Sequence, residues 1–442
     1  MKWVRWLTAA CVAAAVGTAL CMLPGADRAA ANLAAVCTAP ALYLEWAPDL
    51  DAACYEVELF DAVPSDLSAD ARSGAAIYRN GEIYTNSALI SRARIDRDGQ
   101  VRGDLWWRVR PLDLDRHPLG SFSELRPYPA DRQADAGCGP RPRSHFDGEP
   151  GSVLLYPVYS FTPVDNAAQY EVEVTDAAPE NPDGWAPSAH RIFSKVISNA
   201  NLYDPSPRIG SYWWRVRAMD ADGRPLGGWS EAEPFRTAPE DGWQVAIAGD
   251  SISHGGGRLS YGPADWTYSY AHYLDFPAVN LSESGDTSRA TAERFDRDIA
   301  PFHPEYLLIM TGTNSLRAGV PAESVIADLQ EIQEKCRRLG IRPVLLTLPP
   351  IHPDNIRRAF DQPTADNWQA AFAEVNAFIR TQTHIDTAAP FAAWTEMPSE
   401  LAADGLHGDW RAKQMMAEVI NRELPRIAPD LRMSENGLHP AQ

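Results

Sequence analysis

Two different hydrophobic rhythms divide this chain. Between residues 42 and 240 apolar positions alternate over short runs: Tyr55-Glu-Val-Glu-Leu59, Trp106-Trp107-Arg108-Val109-Arg110, Tyr170-Glu-Val-Glu-Val174 and Trp213-Trp214-Arg215-Val216-Arg217. A period of two belongs to a strand with one buried and one solvated face. Pro, Asp and Gly turns separate the runs, which predicts small antiparallel sandwiches. One tryptophan of each pair is then expected to point away from the core. From residue 243 onwards, apolar strand-like runs (245–248, 306–310, 343–348) alternate with helical stretches. Residues 324–339 place Val325, Leu329, Ile332 and Cys336 on one helical face, and Gly340 stops it; 368–381 and 411–422 follow the same pattern. Strands alternating with helices predict a parallel sheet covered on both sides, with ligands at the carboxyl ends of its strands.

The alternating region is an internal duplication. Tyr43-Leu-Glu-Trp46-Ala-Pro48 and Tyr55-Glu-Val-Glu-Leu59 correspond to Tyr159-Ser-Phe161-Thr-Pro163 and Tyr170-Glu-Val-Glu-Val174 at an offset of 115. The Trp-Trp-Arg-Val-Arg runs, with Gly120-Ser-Phe-Ser-Glu124 and Gly227-Gly-Trp-Ser-Glu231, correspond at 107, so the first copy carries eight extra residues between Tyr55 and Trp106. The expected organisation is a leader at 1–31, a sandwich at 38–130, a Gly/Pro/Asp/Arg-rich linker at 131–150, a second sandwich at 151–238, and an α/β domain at 243–442. A chain of 442 residues suits roughly three domains of about 150 residues each.

Lys2 and Arg5 precede an apolar stretch from Trp6 to Leu23, then Ala29-Ala30-Ala31. That is the pattern of a secretory signal cleaved near Ala31, with a retained membrane anchor as the alternative. A lipoprotein reading of Cys11 or Cys21 is disfavoured because Leu20 stands where a small residue is wanted. The expected location is secreted, periplasmic or cell-surface, without stable membrane insertion after cleavage. Removing 1–31 takes away three cations (Lys2, Arg5, Arg28) and one anion (Asp27), moving the net charge from −19 to −21. So acidic a protein repels phosphate backbones and anionic lipid, which argues against nucleic acid as a partner. Four cysteines remain. Cys37 and Cys138 flank the first repeat and could bridge, with Cys54 as competing partner, whereas Cys336 reads as an unpaired thiol in a helix. No cysteine or histidine cluster has zinc spacing, so no structural metal is indicated.

The chemistry concentrates in the third domain. Gly249-Asp250-Ser251 ends the apolar run 245–248, presenting a hydroxyl at a strand end that can act as a nucleophile if a base reaches it. Asp404-Gly405-Leu406-His407 offers that base, with a carboxylate three residues earlier to hold the other imidazole nitrogen. Asn436-Gly437-Leu438-His439 repeats the wording, but Asn436 lacks the negative charge. Acyl transfer also needs donors for an oxyanion. Gly285, in a turn after residue 280, and Asn314, after the run 306–310, are the candidates. His254 is expected in a loop edging the site, without a catalytic role. Trp266, Tyr268, Tyr270 and Tyr273 are expected to pack under its rim.

Gly-Asp-Ser, Ser-Gly-Asp-Thr, Gly-Thr-Asn and Asp-Gly-Leu-His, in this order over residues 243–425, resemble the SGNH (GDSL) hydrolase family. The resemblance implies a three-layer α/β/α domain of flavodoxin-like type. It implies Ser251 as nucleophile, His407 as base and Asp404 as its orienter. It also implies an oxyanion hole from the Ser251 amide, the Gly285 amide and the Asn314 side chain, with no metal or organic cofactor. Upstream, Trp, Tyr-x-Val, Arg-Val-x-Ala-x-Asp-x-x-Gly and Trp-Ser resemble fibronectin type III modules; the second copy matches better, the first departing at Pro111 and Phe122. The implied activity is that of a serine esterase working through an acyl-enzyme, on a small-molecule or polysaccharide ester. O-deacetylation of a carbohydrate or cell-envelope glycan is the expected reaction. The alternatives are a lipase or lysophospholipase, or a glycan-binding surface protein with an inactive hydrolase domain. The sandwiches are expected to be spacers, or glycan-binding modules if their outward tryptophans are exposed.

Overall fold

A computed structural model describes residues 41–96, 103–129, 139–143, 151–165, 167–182, 184–255 and 266–432. The expected signal segment, Cys37, Cys138 and His439 lie outside the described residues. Among the described residues, no helix is long and apolar enough to cross a membrane.

The first module holds β1 (Ala41–Glu45), β2 (Cys54–Phe60), β3 (Tyr78–Ile83), β4 (Ser87–Ser91), β5 (Leu105–Leu112) and β6 (Arg126–Tyr128). β1 pairs with β4, and a second antiparallel sheet has the order β3-β2-β5-β6. The second module holds β7 (Arg141–Pro142), β8 (Val158–Thr162), β9 (Gln169–Thr175), β10 (Arg191–Ile197), β11 (Asn201–Tyr203), β12 (Gly210–Met219) and β13 (Glu233–Thr237). Its sheets are β11-β8-β7 and β10-β9-β12-β13. The same strand order in both modules is what the repeat required. The extra residues of the first copy fall mostly between β4 and β5, at 92–104, where the second has only 204–209. In each module the second tryptophan of the pair, Trp107 or Trp214, enters the core, and Trp106 or Trp213 is half-buried on the other face. β7 lies within the expected linker, where Arg141 and Pro142 pair with Thr162 and Phe161.

The face expected to be wet is in fact covered. Glu56, Glu58, Glu171 and Glu173 are all buried. Strand pairing sets Glu58 opposite Arg108 and Glu56 opposite Arg110, and in the second module Glu173 opposite Arg215 and Glu171 opposite Arg217. Opposite charges directly across an antiparallel pair attract, and each pair here closes at 2.5 to 2.6 Å. An aromatic ring then caps the arginines: Trp229 lies 4.7 and 4.3 Å from the Arg215 and Arg217 guanidinium carbons, and Phe122 lies 4.0 and 4.2 Å from those of Arg108 and Arg110. Phe122, a departure from the fibronectin pattern, thus does the work of Trp229. Alternation of Glu and Arg along a strand signals solvent only when the partner strand does not carry the complementary charge.

Glu173 accepts from Arg215, Arg191 and the Ser188 amide. Glu173→Ala should therefore strand the fully buried Arg215 and lower stability by about 3–5 kcal/mol, read as a lower urea midpoint. An unchanged midpoint would mean that the ladder contributes nothing net.

The third domain is built on five parallel strands: β14 (Val245–Gly249), β15 (Ala278–Asn280), β16 (Tyr306–Met310), β17 (Arg342–Leu346) and β18 (His384–Ile385). Their order is β15-β14-β16-β17-β18. Every residue of β14 and β16 is buried, as a sheet covered on both faces demands. The helices are α1 (Ser251–His254), α2 (Ser288–Arg294), α3 (Thr313–Arg317), α4 (Ala322–Arg338), α5 (Pro353–Phe360), α6 (Trp368–Arg380) and α7 (Trp410–Ile427). The result is the expected three-layer α/β/α, flavodoxin-like domain. On α4, Val325, Leu329, Ile332 and Cys336 all face the core, as their spacing predicts. Cys336 and Cys54 are free, buried thiols.

One boundary shifts. Val153, Leu155 and Tyr156, expected in the second sandwich, belong to the core of the α/β domain. The Asn280 amide donates to the Val153 carbonyl at 3.0 Å, and the Leu155 amide donates to the Asn280 carbonyl at 2.9 Å. This segment runs parallel alongside β15 and covers the sheet edge. Nothing in the local rhythm of residues 151–156 distinguishes an edge segment of one sheet from the start of another.

Candidate active site

The strand order places three loops side by side at the carboxyl ends of β15, β14 and β16. Ser251 follows β14 as the first residue of α1, which Asp250 caps by accepting from the Ile252 amide at 2.9 Å. The amides of a first helical turn have no carbonyl partner within the helix. Asp250 is fully buried, and burial pushes its carboxyl up to about 6. Lys413, on α7, donates to the Ile252 carbonyl; burial pushes its amine down to about 7, against the pull of Asp250, Asp404 and Asp409.

Ser251 and His407 meet from opposite ends of the domain, with Ser251 Oγ 2.7 Å from His407 Nε2. On the other side of the ring, His407 Nδ1 is 2.8 Å from Asp404 Oδ2. The remaining oxygen, Asp404 Oδ1, accepts from the Leu406 and His407 amides at 2.9 and 2.8 Å. Burial raises the Asp404 carboxyl, but the His407 ring and these amides outweigh it and hold the acid below its ordinary value. The tight turn rests on Gly405, whose φ is +79° and where a Cβ would sit 2.3 Å from the His352 carbonyl oxygen.

Gly285 lies in the loop after β15 at φ +93°, in a turn closed by the Asp286 amide donating to the Glu283 carbonyl. Positive φ at the third position of such a turn is the type II geometry, which glycine adopts without strain. The turn is tied to the nucleophile strand, because the Glu283 amide donates to the Gly249 carbonyl at 3.1 Å. Arg294 on α2 reinforces the tie by donating to Asp286, Leu281 and Gly249. Among the described residues the Ser251 and Gly285 amides have no protein acceptor.

Asn314 lies in α3, after β16. Its Oδ1 accepts from Arg317 Nε at 3.1 Å and its Nδ2 donates to the Asp286 carbonyl at 2.9 Å. Arg317 therefore fixes which end of the amide faces the Gly285 loop, and the second Nδ2 hydrogen is left for another acceptor. Sequence reasoning passed over Arg317, Arg294 and Lys413. The Arg317 signal was its place three residues beyond Asn314 on a helix, a spacing at which side chains meet. Arg294 and Lys413 carried no local signal.

His254 does not edge the site as a loop residue. It ends α1, is fully buried, and its Nε2 donates to the Tyr156 carbonyl at 2.7 Å. Burial pushes the ring down to about 4 from an ordinary 6.5. Between those values the unfolded chain binds a proton that the fold refuses, so this group's contribution to stability is present above pH 6.5 and is lost as pH falls towards 4. His254→Phe should flatten the dependence of Tm on pH across that window; an unaltered slope would assign the acid limb to other groups. Of the aromatic cluster, Tyr270 is buried with its hydroxyl 2.9 Å from Ser253 Oγ, and Tyr268 donates to the Leu50 carbonyl of the first module at 3.0 Å. Among the described residues no group of His, Cys, Asp and Glu could hold a metal ion.

Residues 247–411 match the model of the GDSL-like Lipase/Acylhydrolase family. Among solved structures the chain is similar to a GDSL-like lipase from Bacteroides thetaiotaomicron, with 17% identity, 42% of this chain and 90% of that one covered, and a TM-score of 0.34. An acetylxylan esterase from Geobacillus stearothermophilus, a catalytic mutant, gives 22% identity, 41% and 94% coverage, and a TM-score of 0.32. A psychrotrophic esterase from Pseudoalteromonas sp. gives 18%, 42% and 98%, and 0.32. No curated protein matches the chain.

Proposed function

We propose, from the premise that residues 247–411 are a GDSL-like domain of an SGNH-type ester hydrolase, that this protein is an exported serine esterase removing O-acetyl groups from a carbohydrate or cell-envelope glycan. The observation that carries this reading is the buried line from Ser251 Oγ through the His407 ring to Asp404, with contacts of 2.7 and 2.8 Å. Ser251 Oγ attacks the acyl carbon while its proton passes to His407 Nε2. Asp404 holds the Nδ1 hydrogen and stabilises the imidazolium. The new oxyanion accepts from the Ser251 amide, the Gly285 amide and Asn314 Nδ2. Collapse breaks the bond to the alcohol, which leaves with the proton from His407. Water, deprotonated by the same nitrogen, then releases the acid and restores Ser251.

One feature supports a glycan ester over a lipid one: the net charge of −19, or −21 without the leader, disfavours approach to anionic membranes. Purified protein should show a burst of p-nitrophenol from p-nitrophenyl acetate and should release acetate from acetylated polysaccharide faster than fatty acid from lysophospholipid. The reverse ranking would favour a lysophospholipase. Folded protein inert towards all three would leave a surface-binding protein with a silent hydrolase domain.

A further inference from the structure

The second sandwich reaches the Gly285 loop directly. Tyr203, the last residue of β11, accepts a hydrogen bond on its hydroxyl from the Ser284 amide at 3.2 Å. Its ring stands edge-on to His254, the last residue of the helix that Ser251 begins, with ring centroids 5.3 Å apart. Behind it, the Tyr156 carbonyl holds His254, and the Tyr156 hydroxyl donates to Asp298 at 2.5 Å. Between sandwich and sheet, the Arg208 amide donates to the Leu155 carbonyl, and Thr237 Oγ1 donates to the Leu154 carbonyl.

The hydrogen-bond accounting of the turn at 283–286 gives this contact its meaning. The turn's own bond uses the Asp286 amide, and the Glu283 amide goes to the Gly249 carbonyl. Tyr203 takes the Ser284 amide. Of the four amides, the one left over is that of Gly285. The direction of the Gly285 N–H is set by the peptide between Ser284 and Gly285, which the positive φ of Gly285 holds in the type II state. The Ser284 N–H belongs to the preceding peptide, so its bond to Tyr203 fixes where the first corner of the turn stands, just as the Glu283 bond to the Gly249 carbonyl ties that corner to the nucleophile strand.

Resting on the esterase reading above, we propose that Tyr203 of the second sandwich is a positioning residue for the oxyanion hole: it anchors the Glu283–Ser284 peptide and so holds the turn that carries the Gly285 amide in place beside Ser251. The sandwich is then part of the esterase machinery, not a spacer. Removing one oxyanion donor outright lowers kcat by about 10²–10³-fold. Loosening one, as Tyr203→Phe would, should lower kcat by about tenfold, less than outright removal costs.

The test uses the full chain and three readouts. Paraoxon titration counts competent serines, p-nitrophenyl acetate gives kcat and KM, and an alkyl boronic acid, whose adduct needs the same donors, gives Ki. For Tyr203→Phe the expected result is a full titre, kcat lowered about tenfold, KM within about twofold, and Ki raised by the same factor as kcat falls. Thr237→Val removes another hydrogen bond of the same interface, away from Ser284, and should leave kcat and Ki at parental values even if Tm falls. The inference is overturned if Tyr203→Phe matches the parent in kcat and Ki, if its lost activity equals its lost titre, or if Thr237→Val is impaired equally. A parent protein that neither titrates nor turns over ester would sink the esterase reading itself, and this inference with it.

Discussion

Ser251→Ala is expected to lower kcat for p-nitrophenyl acetate by about 10⁶-fold. The substitution deletes the atom that sits 2.7 Å from His407 Nε2 and little else. The residue's amide remains, as do Gly285 and Asn314, so the oxyanion donors survive the change. Residual hydrolysis should accordingly stay above the rate in water, by about 10³–10⁴-fold. Two signatures accompany the loss. The p-nitrophenol burst disappears, because no acyl-enzyme forms, and the alkyl boronic acid loses its covalent adduct. Folding should be untouched, since Ser251 Oγ supports no other described contact. If the variant were as active as its parent, the nucleophile would have to be another residue.

Asp404→Asn should cost about 10⁴-fold in kcat at neutral pH, although nearly every atom stays in place. Asparagine can keep its oxygen towards the Leu406 and His407 amides, which Asp404 Oδ1 occupies at 2.9 and 2.8 Å. Its amide nitrogen then faces His407 Nδ1. Two donors cannot share that contact, so the ring moves its hydrogen to Nε2, where it can no longer accept the Ser251 proton. The loss is therefore one of tautomer, not of position. It should fall on kcat with KM nearly unchanged, and the pH–rate profile should recover towards high pH, where serine ionises without help. A loss below about tenfold would mean that the carboxylate serves mainly to hold the turn.

The motifs were legible in the sequence to different depths. Asp404 and His407 are three residues apart, so the glycine turn alone brings their side chains together, and local reading suffices. Ser251 and His407 are 156 residues apart, and their contact at 2.7 Å depends on the whole sheet. The Asp-x-x-His spacing proposed that pairing, and the order of the four motifs, through family resemblance, gave it its weight. His254 shows the opposite case. A histidine followed by three glycines reads as an exposed loop, yet its ring packs against Tyr203 of the second sandwich, which no local signal announces. The Glu–Arg ladders failed for a related reason. Alternating charge marks a solvated face until a neighbouring strand supplies the opposite charge in register, and register is a property of pairing.

By itself the sequence determined the elements and the chemistry they carry. Period-two and period-3.6 patterns are local, so they mark strands and helices before any folding is known. Turn residues likewise have local causes, as at Gly405 and Gly285. Tertiary structure alone decided the neighbours. The order β15-β14-β16 sets the Gly285 and Asn314 loops on either side of Ser251. Residues 153–156 joined the α/β sheet edge because an open strand offers unpaired amides and carbonyls to whatever chain lies beside it. The same long-range packing carried Tyr203 from the second sandwich to the amide of Ser284. Contacts of that kind bury surface between distant segments, and their free energy depends on shape and register that no short window of sequence contains.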